Sequence, residues 1–163
     1  MTQPQKQLLS LWDYGWLDYN EIKLPPCDQP RKLIDAYLSE NSFGSSFVGT
    51  ELDDAPSLHG PFWRTALTAD DFQVIDSNTF YAQIQRVRQP EGFSEPADEE
   101  QWSAVENLIS RLEPQYQWLI MLRLTEEDDD RFHDWGFVLT IFREFILANP
   151  NSENVARLIF GYD

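Results

Sequence analysis

Two histidines, His59 and His133, one cysteine, Cys27, and a large surplus of carboxylates are the side chains of this sequence that chemistry would recruit first. Nucleophilic catalysis needs a nucleophile within reach of a base, and neither histidine stands in a local motif that supplies one. Cys27 sits between Pro26 and Asp28, and no basic microenvironment of the kind that lowers a thiol pKa is visible around it. Gly44 and Gly49 lie close together, but no Gly-Lys-Ser/Thr ending follows, so a phosphate-cradling loop is not written here. Paired carboxylates could act as acid and base, yet in so acidic a chain neighbouring carboxylates arise by chance and carry no specificity. The sequence therefore nominates no catalytic residue and no cofactor.

The densest group of carboxylates is Glu126, Glu127, Asp128, Asp129 and Asp130, with Asp134 beside His133. A hard cation would want oxygen ligands at constrained spacing, and an EF-hand loop needs a central Gly followed by Glu at its twelfth position. Neither condition is met, so no metal site is expected. Two readings of the run remain. Acids at the start of a helix complement its dipole, and the same acids could form a patch that plugs a cationic active site. On the second reading these six carboxylates are the candidate partner-binding residues.

The elements that would position them follow from periodicity and punctuation. Leu8, Trp12, Trp16 and Tyr19 fall near helical spacing, ended by Pro25 and Pro26. They suggest a short helix or an irregular arm, its rings either docked on the core or facing a partner as anchors. Leu33, Ile34, Tyr37 and Leu38 give the stripe of an amphipathic helix over residues 30–40, with Pro30 in its first turn. Residues 41–60 read as loop around at most one short strand at Phe47 and Val48, and residues 62–67 as a strand. Thr68 with Asp71 resembles a capping box. Over residues 79–88 Phe80, Ala82 and Ile84 alternate as in a strand, while Phe80, Ile84 and Val87 keep helical spacing; the strand is preferred.

Asp98, Glu99 and Glu100 then open a helix whose apolar stripe is Trp102, Val105, Leu108, Ile109 and Leu112. Residues 118–122 form a nearly unbroken apolar run, as in a strand buried on both faces. Beyond the acidic run, Phe132, Trp135, Val138, Phe142, Phe145 and Ile146 share the face of a predicted second helix, with Trp135, like Trp102, directed to the core. Residues 155–162 read as a closing strand. Strand, helix, strand over the final third gives an α+β fold: a small sheet packed against several helices in a single domain spanning 1–163.

Composition bounds the rest. At 163 residues, one core is the default. Hydrophobic residues at 42% and aromatics at 14% supply enough apolar surface for an ordered interior. Asp and Glu number 28 against 12 Lys and Arg, a net charge of -16. Such a field repels nucleic acid and anionic membranes and favours cationic partners, although solubility alone also accounts for it. A lone cysteine cannot form an intrachain disulfide. With no apolar signal-peptide core at the N-terminus and no span long enough to cross a bilayer, a cytoplasmic protein is expected.

The combination of small size, acidity, abundant aromatics and no catalytic motif resembles the immunity proteins of bacterial polymorphic toxin systems. The stretch Phe132, His133, Asp134, Trp135, Gly136 through Phe145, with the closing Phe160, Gly161, Tyr162 and Asp163, carries the resemblance. It implies a protein that binds a cognate toxin and occludes it, and charge adds that the toxin is basic, as a nuclease is around its substrate channel. Two other readings stay open: a phage-type acidic mimic of nucleic acid, and a small enzyme with an unrecognised carboxylate site.

Overall fold

Apolar runs carrying few charged residues assemble, in the computed structural model, into a sheet with both faces covered. The structure describes residues 6–12, 15–40, 58–93, 95–125, 127–133 and 139–162. Strands β1 (Lys6–Trp12), β2 (Gly15–Lys23), β5 (Phe72–Ile75), β6 (Trp118–Leu122), β7 (Ile141–Ala148) and β8 (Asn154–Tyr162) form one six-stranded sheet in the order β1-β2-β8-β7-β6-β5. Every neighbouring pair is antiparallel. Helix α1 (Pro30–Ser39) and a small hairpin, β3 (Leu58–His59) with β4 (Phe62–Trp63), pack on one face, while helices α2 (Ser77–Arg88) and α3 (Glu99–Leu112) pack on the other. The architecture is α+β, a sheet packed against several helices.

Because side chains alternate across a strand, β8 divides its residues between two cores. Val155 and Ile159 join Leu33, Ile34 and Tyr37 of α1. Ala156, Leu158 and Phe160 join Phe80 and Ile84 of α2 and Trp102, Val105 and Ile109 of α3. Each large aliphatic or aromatic side chain so buried contributes about 1.5–3 kcal/mol. Among the described residues no helix is long and apolar enough to cross a membrane.

Local signals explain the helices. Pro30 occupies the first turn of α1, where its missing N–H costs nothing. Asp98 caps α3 by accepting from the Gln101 backbone N–H at 3.0 Å, with Glu99 and Glu100 in the first turn and Arg111 in the last. Thr68 and Asp71 form the expected capping box, on a single 3₁₀ turn, Ala69–Asp71.

Several expectations are corrected. The N-terminal segment is neither helix nor irregular arm but the hairpin β1–β2; Leu17 and Tyr19 face the core in strict alternation, and the helical spacing of the rings is coincidental. The strand expected over 62–67 stops at Trp63 and gives way to a 3₁₀ turn, Arg64–Ala66. Residues 77–88 are a helix and not a strand: Asp76 accepts from the Thr79 N–H at 2.7 Å, so the helix-spaced Phe80, Ile84 and Val87 prevail.

The final third has no strand-helix-strand order, because β7 stands where the second helix was expected. Phe142, Phe145 and Ile146 match helical spacing, yet in β7 all residues but Arg143 are buried, and a strand covered on both faces shows no period. Phe132 makes an isolated bridge to Phe62 instead of opening a helix. Phe47, Val48, Trp135 and Val138 lie outside the described residues.

Candidate functional site

The acidic run sits on the connection between β6 and β7, and the turn that carries it is built from its own side chains. Asp128 accepts a hydrogen bond from the Thr125 N–H through Oδ2 at 2.8 Å, while its own N–H donates to the Thr125 carbonyl at 3.0 Å. A 3₁₀ turn, Asp129–Arg131, follows. Arg131 donates from Nη1 to Oδ1 of the buried Asp71 at 2.7 Å, anchoring the turn to the capping box ahead of β5. That partner raises the already high guanidinium pKa of Arg131.

Asp128 is thus engaged in shaping the loop, whereas Glu127, Asp129 and Asp130 are exposed. None of these three holds a cation among the described residues. Glu126 and Asp134 lie outside the described residues. Glu127, Asp128, Asp129 and Asp130 therefore do not open an α-helix; they lie on and just before a single 3₁₀ turn.

An aromatic side chain lies beside them. His133 donates its backbone N–H to the Pro61 carbonyl at 3.0 Å, and its ring Nε2 contacts the Gly60 carbonyl at 2.7 Å, joining the end of the acidic segment to the β3–β4 turn. The turn needs glycine at position 60: φ is +55°, and a Cβ would meet the Phe142 ring at 2.4–2.8 Å. Just beyond it, Trp63 is 41% exposed, its ring edge-on to His133 at a centroid distance of 5.9 Å. Arg64 then turns the chain back, donating from Nε and Nη2 to the Leu38 carbonyl at 3.1 and 2.7 Å. These bonds satisfy a last-turn carbonyl of α1.

Sequence reasoning missed a second polar assembly, sealed between α1 and the sheet. The Tyr37 hydroxyl donates to Oε1 of Glu144, and His59 Nε2 contacts Oε2 of the same carboxylate. Arg157, 7% exposed, completes the group. Burial pushes the Glu144 pKa up, but the combined pull of His59, Tyr37 and Arg157 outweighs it and holds the carboxyl below its ordinary range. Desolvation and the Glu144 charge drive the Tyr37 pKa well above its usual value. The signal was present in the sequence as charged residues inside two apolar runs, Arg143 with Glu144 in β7 and Arg157 in β8, since such residues are almost never buried without partners.

Both histidines are therefore buried and bonded. The Cys27 thiol donates to the Pro25 carbonyl at 3.2 Å. Among the described residues no group of three or more His, Cys, Asp or Glu side chains is arranged to hold a metal ion. Comparison with models of protein families, with curated proteins and with solved structures found no match to this chain.

Proposed function

We propose that this chain is an immunity protein that binds a cognate, basic bacterial toxin domain, a nuclease fitting best, and occludes it stoichiometrically in the cytoplasm of the cell it protects. The observation that carries the reading is the exposed indole of Trp63 on the hairpin that His133 ties to the Glu127, Asp129 and Asp130 turn, in a chain of net charge -16. The division of labour is physical. Exposed carboxylates steer a cationic partner and raise association rates by about 10–10³-fold at low salt. A partly exposed Trp supplies the large, rigid contact that interface hot spots favour, and its ring face can hold a lysine or arginine of the partner. A buried area of about 1,200–2,000 Å² suffices for such a complex.

The test is co-expression with the products of the neighbouring genes, followed by titration of any pair that forms across a salt series; no complex with any of them would reject the immunity reading. The expected results are protection, saturation at one inhibitor per toxin, slower association in E127Q/D129N/D130N and faster dissociation in Trp63→Ala. Protection at far lower ratios would reject occlusion in favour of catalysis. Equal binding to several unrelated DNA-binding proteins would favour a nucleic-acid mimic instead.

A further inference from the structure

The six-stranded sheet ends in two edge strands, β1 and β5. An unpaired edge is a template for another strand, and natural edges are blunted by shortness, charge or a covering segment. β5 has that protection: it is four residues long, with exposed Asp70 and Asp76 close to its two ends. β1 has little of it. Its seven residues, KQLLSLW, contain one charge, Lys6, and neither proline nor carboxylate, in a chain with 28 acids. The far end of β1 is covered, where the Asp98 N–H donates to the Leu11 carbonyl at 3.2 Å beside a break in register. Among the described residues no backbone hydrogen bond outside the β1–β2 ladder reaches residues 6–10. On this open stretch Leu9 turns towards the α2–α3 core, so Leu8 points to the other face, where it is 63% exposed.

The sequence of this stretch is complementary to itself. Two copies joined antiparallel about a two-fold axis at Leu8 set Leu8 against Leu8, Gln7 against Leu9 and Lys6 against Ser10. The two lysines lie at opposite ends of the ladder, no carboxylate enters it, and the exposed leucines cover each other. We infer that β1 pairs with β1 of a second copy of this chain through residues 6–10, joining the two six-stranded sheets edge to edge. Opposing the pairing is the repulsion between two chains of net charge -16. Dimerisation therefore strengthens as salt screens that repulsion, the reverse of the salt dependence expected for a basic toxin. This surface is independent of the immunity reading and can be tested without any toxin.

The probe is the full chain itself, followed by sedimentation equilibrium across a range of protein and salt concentrations. A dimer that forms with rising concentration and rising salt is expected. Leu8→Lys, which sets two like charges directly opposite, should weaken it about tenfold or more. Leu8 is exposed, so at the lowest concentration that variant should keep the parent melting temperature, which is measured alongside. Register is read by cross-linking in a Cys27→Ser background. Leu8→Cys would bring its two Cα atoms to about 4.5–5.5 Å, within disulfide reach, and should oxidise to a covalent dimer. Ser10→Cys, also exposed, would hold its Cα atoms about 14 Å apart and should not. A chain that stays monomeric under all conditions, as it would if this edge served a strand of another protein, overturns the proposal. So does a dimer indifferent to Leu8→Lys, or equal cross-linking at both positions.

Discussion

Replacing Glu144 with alanine tests whether the Tyr37–His59–Glu144–Arg157 group is a sealed structural unit. Glu144 is 0% exposed and accepts from both the Tyr37 hydroxyl and His59, with Arg157 beside them. Its removal takes an acceptor from a buried phenol and a buried imidazole and a counter-charge from a buried guanidinium. Removing one partner from a buried charged group costs about 3–5 kcal/mol, a large share of the 5–15 kcal/mol that typically separates folded from unfolded. At roughly 2–4 °C per kcal/mol for a domain of this size, the melting temperature should fall by about 6–20 °C.

The assay is urea unfolding followed by fluorescence of the six tryptophans, run for Glu144→Ala and Glu144→Gln together. The glutamine variant preserves volume and an acceptor for Tyr37, so it should lose less. The pH dependence supplies a second readout. The folded-state pKa of Glu144 is depressed, so its contribution is complete above the unfolded value near 4.3 and is lost as pH falls through the lower folded value. The stability of the parent should therefore drop more steeply below about pH 4.3 than that of Glu144→Gln. A loss under about 1 kcal/mol in Glu144→Ala, or parallel pH curves, would refute the reasoning, because it would mean that water reaches these groups in the folded state.

The remaining predictions concern packing and the acidic turn. In Gly161→Ala the new Cβ would lie 1.2 Å from Cζ3 and 1.6 Å from Cη2 of Trp16; overpacking of this kind costs about 1–3 kcal/mol, and calorimetry should show the loss unless Trp16→Leu is added to make room. Trp102→Ala removes a ring that is 1% exposed and fixed by its Nε1 donating to Glu106 at 3.0 Å; chemical denaturation should register about 3–5 kcal/mol. Asp129→Asn with Asp130→Asn should leave the melting temperature unchanged, whereas Asp128→Ala should lower it by removing the acceptor of the Thr125 N–H; equal effects would show that Asp128 does not shape the turn.

The sequence was legible wherever an element had one apolar face and proper ends. Helices α1 and α3 announce themselves through a stripe and an N-terminal signal, Pro30 in the first turn of the one and Asp98 capping the other. Strands β6 and β8 are visible as short apolar runs bounded by breakers. Net charge needed no structure either. It identified the acidic run as a place where charge could be presented, although only Glu127, Asp129 and Asp130 of the six candidates are described as exposed.

Tertiary structure decided what local pattern could not. β7 is bounded by β6 and β8 and covered on both faces, so its sequence carries no period, and the spacing of Phe142, Phe145 and Ile146 fits a helix equally well. Trp16 and Tyr19 look like a helical stripe until pairing with β1 and β8 sends them to opposite faces. The buried network exists only because residues distant in sequence, Tyr37 with Glu144, are brought together by a sheet whose strand order is not the chain order. Periodicity reports which residues share a face of one element. Which faces then meet is fixed by long-range antiparallel pairing, and the partners in that pairing have no signature within the span of a single strand or helix.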